Sequence, residues 1–462
     1  PYKSQALFVS IMNLNYSRRG FLRSSVGVAG LTVPTLLKLQ SQALAGAPKA
    51  KSCIVLYTWG GMSHYESFDP KPDAPSEVRG EFKSIPTATT GIRFCEYLPL
   101  LAKHSEKLAI VRSLYHDQGG HQQGMYTSLT GHKPEGGIKA GKRTNRPSLT
   151  AMIGRFQGVQ PGTPNAVRMP YSMYDNGTQM AGEDGGRLGF NYDPILIRTP
   201  AGKPFRGVTR YTDRELNLKL NMEKARVVER RALLEELEQD LAYPASVESE
   251  YDQLDHFRKM AANMLLESPV RDAYDLERED PRVRMMYGDH ICGQTLLLAR
   301  RLVEAGVPVV QALCSAGDLA GGSGDNWDTH KGHFPKMKER LLPVFDRSVS
   351  AFLTDLEQRG LLDETLVVFL TDFGRTPKIN GNGGRDHHPG VYSMVLAGGG
   401  IQGGQVYGSS DSSGVSPGSD ACTPADFHAT VYKAMGIDHH VELEDQLGKP
   451  FRICEGEPLP LF

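Results

Sequence analysis

Leu366-Val367-Val368-Phe369-Leu370 is an unbroken apolar run, and Thr371-Asp372-Phe373-Gly374-Arg375 follows it directly. A strand buried on both faces reads this way, whereas a half-exposed strand alternates. The loop continues through Gly381, Gly383 and Gly384 to Arg385-Asp386-His387-His388. Glycine tolerates the backbone angles of a tight return. A buried strand that ends in a carboxylate, with two imidazoles coming back towards it, needs a chemical reason.

Four more apolar runs read as buried strands: residues 53–57, 108–114, 307–313 and 392–396. Helical spacing lies between them. Leu341, Phe345, Val349, Phe352 and Leu356 precede the 366–370 run, and Leu296, Leu297, Leu298, Leu302 and Val303 precede the 307–313 run. Strands alternating with helices predict a doubly wound α/β fold, a mainly parallel sheet with helices on both faces. Ligands in such folds bind beyond the carboxyl ends of the strands.

One region departs from this pattern. Thr212-Asp213-Arg214-Glu215 has the form of a capping box. It opens a charged helix to about residue 241, and a second runs over about 247–266. We expect a helical insertion over about 212–285, its hairpin at 212–266 and its charges on a solvated face.

The chain has 462 residues, 39% of them hydrophobic, with a formal net charge of -1. That balance, with no long basic stripe, argues against nucleic acid as a partner. Ser17-Arg18-Arg19-Gly20-Phe21-Leu22 is a twin-arginine pattern, followed by an apolar stretch over 26–37 and by Ala43-Leu44-Ala45 before Gly46. Residues 1–46 therefore read as an export signal that engages the twin-arginine machinery and delivers the chain to the periplasm or cell surface. The apolar stretch is about half of the ~20 residues a spanning helix needs, so we expect no stable transmembrane anchor. Residues 47–462 read as one α/β domain. The six cysteines include no CxxC pair. Cys53 and Cys314 read as buried thiols, and Cys422 with Cys454 is the first pair to test for a disulfide in an exported chain.

Polar residues gather at four predicted strand ends. These are the segments Gly60–Asp69 (with Ser63, His64 and Glu66), His116–His121, Asp325–His330 and the loop after Leu370. Packing does not ask for Asp, Glu and His at one sheet edge four times over. Like charges there repel unless a cation sits among them. Carboxylate with imidazole suits zinc, manganese or iron, and calcium or magnesium where oxygen ligands dominate.

The stretches "GGMSHYESFDPKP", "DNWDTH", "TLVVFLTDFGRTPKINGNGGRDHHPG" and "VLAGGGIQGGQVYG" resemble the bacterial domain-of-unknown-function 1501 family, over nearly all of the chain after the signal. That family is related to sulfatases and alkaline phosphatases. The resemblance implies an alkaline-phosphatase-like fold and one or two divalent metal ions. It implies one site at Asp328 and His330, with His333 as an alternate, completed by His387 or His388. A second site is implied at Asp372 with Glu66 or Asp69. Phe373 stands where the superfamily carries a histidine ligand. The superfamily's Ser, Thr or Cys nucleophile precedes a Leu-Thr-Gly helix end, matched here by Leu129-Thr130-Gly131, but the corresponding helix start holds His121. His121 is then a ligand or a nucleophile, Ser63 a spare hydroxyl, and Arg375 a clamp for an anionic oxygen or a salt bridge within the loop. The implied function is metal-dependent hydrolysis of an anionic sulfate or phosphate ester, polysaccharide esters among them. A non-catalytic metal-bearing surface protein and a phosphomutase-like isomerase are the alternatives.

Overall fold

The computed structural model describes residues 50–158, 162–197, 269–316 and 326–462. The expected export signal, the expected 212–266 hairpin and Asp325 lie outside these residues. Of the expected insertion, the described end holds the short helices Pro269–Ala273 and Pro281–Tyr287. No helix among the described residues is long and apolar enough to cross a membrane.

Eight strands form one sheet: β1 (Ser52–Thr58), β2 (Leu108–Leu114), β3 (Val167–Met169), β4 (Ile195–Leu196), β5 (Val309–Leu313), β6 (Thr365–Thr371), β7 (Tyr392–Ala397) and β8 (Gln405–Tyr407). Their spatial order is β8-β2-β7-β6-β1-β5-β3-β4. The centre is β1, buried along its whole length and parallel to β6 and β5 on either side. Its side chains alternate between two cores. Ile54 and Leu56 pack with the helices Ile291–Glu304 and Leu342–Gln358. Cys53, Val55 and Tyr57 pack with His121–Thr130 (α1), Leu149–Phe156 and Pro424–Ala434 on the other face. The expected mainly parallel sheet with helices on both faces is therefore present. Each fully buried Leu, Val or Phe in these layers contributes about 1.5–3 kcal/mol.

One strand departs from the parallel expectation. β7 runs antiparallel to both β6 and β2. A parallel return needs a crossover, usually a helix. Residues 372–391 contain no helix. They pass beyond the carboxyl end of β6 and come straight back as β7. The loops after β1, β2, β5 and β6 consequently all project at one edge.

The disulfide expectation is corrected. Cys292 is bonded to Cys314. Cys422 and Cys454 are buried free thiols, as is Cys53. An apolar run around Cys314 marked burial but could not reveal that Cys292, at the start of a neighbouring helix, faces it.

Candidate metal centre

Asp372 follows β6 and is fully buried. Its carboxylate accepts from Tyr57 Oη at 2.9 Å and from the Gly60 N–H, 3.2 Å from each oxygen. Its Oδ2 also accepts from His121 Nδ1 at 2.7 Å. The close approach of the loop after β1 requires glycine. Gly60 has φ 105°, and a Cβ there would lie 2.4 Å from the Asp328 nitrogen.

His121 is the first residue of α1, which ends at the left-handed Gly131 (φ 74°). Its ring is stacked between Trp59 at 5.3 Å and Phe373 at 5.1 Å. Phe373 also packs against His387 at 4.4 Å. It supplies a floor under two imidazoles.

Three imidazoles share one arrangement. His121 Nδ1 donates to Asp372, His330 Nδ1 to Asp386 Oδ1 at 2.6 Å, and His387 Nδ1 to the Gly119 carbonyl at 2.8 Å. In the neutral ring, with the Nδ1 proton committed, each Nε2 carries a lone pair. All three Nε2 atoms turn towards Asp328 Oδ1, at 3.4 Å for His121, 3.1 Å for His330 and 3.3 Å for His387. His330 and His387 face each other Nε2 to Nε2 across 2.9 Å. His121 Nε2 is a buried polar atom that makes no hydrogen bond. Neighbouring ligands on a tetrahedral ion with bonds of about 2.0–2.1 Å stand roughly 3.3 Å apart. The three distances to Asp328 Oδ1 are close to that spacing, and His121, Asp328 and His387 gather their ligand atoms within 4.8 Å of one another, with His330 at the side of this group.

The electrostatics favour a positive charge at this place. Burial alone would pull the His121 pKa down, but the Asp328 and Asp372 carboxylates outweigh it and raise it to about 9. Burial also works against ionised Asp328, yet His121, His387 and Arg375 hold its carboxyl far below the usual carboxylate range. Burial lowers the His387 pKa, with partial opposition from Asp328. An anionic oxygen ringed by imidazoles is a place where a proton or a cation is strongly held.

His387 and His388 part company because they lie in a short ribbon. Gly374 pairs with His388, and Arg375 with His387. Successive strand residues point to opposite faces. His387 reaches the cluster, while His388 Nε2 donates to the Val415 carbonyl at 2.6 Å. Arg375 is fully buried and its nitrogens bind the carbonyls of Gly60, Gly61, Trp327 and Arg385, and Asp328 Oδ1 at 2.7 Å. Of its two sequence readings, a salt bridge that holds the loop is present, made to Asp328 in the loop after β5.

The structure does not bring Glu66, Asp69 or Ser63 to this cluster. Glu66 bonds Arg385, His333 and Ser63. Asp69 pairs with Lys71 at 3.1 Å and accepts from Ser410. Ser63 is 1% exposed, and its Oγ donates to Glu66 Oε2 at 2.5 Å. Trp59, Tyr57 and the Gly119 carbonyl were not singled out in the sequence. Tyr57 closes the first apolar run and Gly119 lies in the His116–His121 segment, but neither position carries a chemical signal of its own in the sequence. Asp438, His439 and His440 also gather ligand atoms within 4.8 Å of one another. In that half-buried turn His439 Nε2 lies 3.5 Å from Glu457, whereas each imidazole of the first cluster has its Nδ1 fixed by an acceptor.

No curated protein matches the chain. Solved structures similar to it include Ps i-CgsB (11% identity, TM-score 0.38, covering 84% of this chain and 73% of that one). The PsFucS1 sulfatase from Pseudoalteromonas sp. matches at 14% identity and TM-score 0.36, covering 87% and 71%. A protein in the alkaline phosphatase superfamily from Vibrio parahaemolyticus matches at 9% identity and TM-score 0.37, covering 85% and 68%. At these scores the likenesses carry no argument about activity. The model of a family described as protein of unknown function, DUF1501, matches residues 50–460, and the chain belongs to that family.

Proposed function

We propose that the chain is an exported, metal-dependent hydrolase of sulfate or phosphate esters, with polysaccharide esters among its substrates. The observation that carries the metal reading is the facing pair of Nε2 atoms on His330 and His387, 2.9 Å apart. With both Nδ1 protons committed, two lone pairs repel at that distance unless a cation lies between them or one nitrogen takes a proton. His121 and Asp328 add a third nitrogen and an oxygen. A donor set rich in imidazole favours zinc, manganese or iron over calcium and magnesium. A divalent ion held there would supply Lewis-acid charge to an ester oxygen and lower the pKa of a water.

The chain's own residues then orient and hold. Asp372, Asp386 and the Gly119 carbonyl fix the three rings. Arg375 fixes Asp328. Phe373 and Trp59 keep water from the His121 ring faces. Water is the attacking group in this reading, since the Ser63 hydroxyl is committed to Glu66. That same commitment disfavours a phosphomutase-like reaction, which needs a hydroxyl nucleophile. It also supports a second reading, a metal-bearing surface protein without turnover.

The test is metal analysis of the purified protein, followed by a panel of sulfate and phosphate monoesters with Asp328→Ala as control. Bound metal with metal-dependent turnover is expected. Bound metal without turnover on any ester favours the second reading, and absence of metal overturns the first. Export is proposed from Arg18-Arg19 and Ala43-Leu44-Ala45. Replacing both arginines by lysine should leave precursor in the cytoplasm, and normal processing of that variant would remove the twin-arginine claim.

A further inference from the structure

We infer that Glu66 is a positioning residue that sets the distance between the two ligand-bearing loops. The inference rests on the cation cradle proposed above. Glu66 lies in the loop after β1 and is 1% exposed. Its Oε1 accepts from Arg385 Nε at 3.1 Å and Nη2 at 2.8 Å. Its Oε2 accepts from Ser63 Oγ at 2.5 Å and from His333 Nε2 at 2.9 Å.

Each of those contacts leads to the cradle. Arg385 stands just before Asp386 and His387, and its remaining donors hold the Thr376, Pro377 and Val78 carbonyls. His333 Nδ1 accepts from Thr329 Oγ1 at 2.6 Å, and Thr329 sits between Asp328 and His330. The Arg385 N–H closes the circuit on the Thr329 carbonyl at 3.2 Å. One carboxylate thus ties the arm bearing His387 to the loop bearing Asp328 and His330.

A carboxylate suits this role because it only accepts. Its two oxygens offer about four lone-pair sites, and four protein donors fill them here. None is left for an ion, which separates Glu66 from the ligands. A glutamine in its place would turn an NH2 group towards Arg385 or His333, and donor would meet donor.

The experiment titrates wild type, Glu66→Gln, Glu66→Asp and His333→Gln with zinc, and separately with manganese, against a chromophoric chelator. Circular dichroism reports folding. Glu66→Gln should weaken metal binding by at least about tenfold while keeping the wild-type stoichiometry at saturation. Glu66→Asp should recover part of the affinity. His333→Gln leaves the Glu66–Arg385 pair in place, so it decides the matter if Glu66→Gln does not fold, and it should also weaken binding. Unchanged affinity in the folded variants, even with a lower melting temperature, makes Glu66 merely structural and overturns the inference. A metal missing at saturation makes it a ligand and overturns the inference too. If wild type binds neither metal, the cradle reading itself falls, and this inference falls with it.

Discussion

His121 donates from Nδ1 to Asp372 Oδ2 across 2.7 Å, which couples the first residue of a helix to the end of a central strand. The bond turns the imidazole so that Nε2 faces Asp328. On the metal reading proposed above, it makes the carboxylate a support for His121. Asp372→Asn should keep the fold, because the side-chain oxygen can still accept from Gly60 and Tyr57. It should lose the ionic hold on the ring. Cation affinity is expected to fall about 10–100-fold, read by competition with a chelator. Wild-type affinity in this variant would mean that the bond does not orient His121.

The neighbouring histidines should behave as opposites. His387→Ala removes one of three converging nitrogens, and bound metal per folded protein should drop steeply at limiting metal. His388→Ala removes only the bond to the Val415 carbonyl. It should keep wild-type stoichiometry and loosen the loop around Val415, seen as faster amide exchange there. The reverse pattern would mean that the ribbon register is different.

Acid should destabilise the fold in a window set partly by His428. Burial pushes its imidazole down to about 4, partly opposed by a bond from Nε2 to the Ser128 carbonyl at 2.8 Å. The unfolded residue titrates near 6.5. Between those values the unfolded chain takes up a proton that the folded chain refuses, so stability falls as pH falls from about 6.5 to about 4. The loss for this one group reaches about 3 kcal/mol. Glutamine at 428 can donate to the same carbonyl without titrating. His428→Gln should therefore flatten the dependence of the urea midpoint on pH by about one proton's share. An unchanged slope would count against it.

Thiol chemistry gives a direct check on the covalent frame. The chain has six cysteines, and Cys53, Cys95, Cys422 and Cys454 are free. Denatured without reductant, the protein should react with four equivalents of a thiol reagent, and with six after reduction. Replacing Cys292 and Cys314 by serine should cost about 2–4 kcal/mol in stability. A count of six without reductant would remove the bridge.

The five apolar runs marked five of the eight strands, because a strand buried on both faces cannot hide its composition, whereas the short β3, β4 and β8 carry no such run. Their direction was another matter. An apolar run carries no arrow, and β7 is reversed only because the stretch before it lacks a helix to cross over with. Asp328, His330 and His387 were visible as residue types that a core does not need. The choice between His387 and His388 was not, because it depends on which of them pairs with Arg375 across the ribbon. Glu66 looked like a ligand for the same reason that Asp328 did. Only the folded chain brings Arg385 and His333 to it and uses up its oxygens.

The cradle is held by contacts of extreme sequence separation: 312 positions from Gly60 to Asp372, 251 from His121 to Asp372 and 268 from Gly119 to His387. No local segment can form them. Each waits for a long loop to close, and only docking of the sheet offsets that entropy. The four side chains are therefore expected to come together late in folding, and on the metal reading an ion would be captured by a nearly finished protein, not by a nascent stretch of chain. On the twin-arginine reading proposed above, in which the chain folds before export, the metal pool of the compartment of synthesis would select the ion. The Irving–Williams order within that pool, more than conditions where the protein works, would decide which metal it carries.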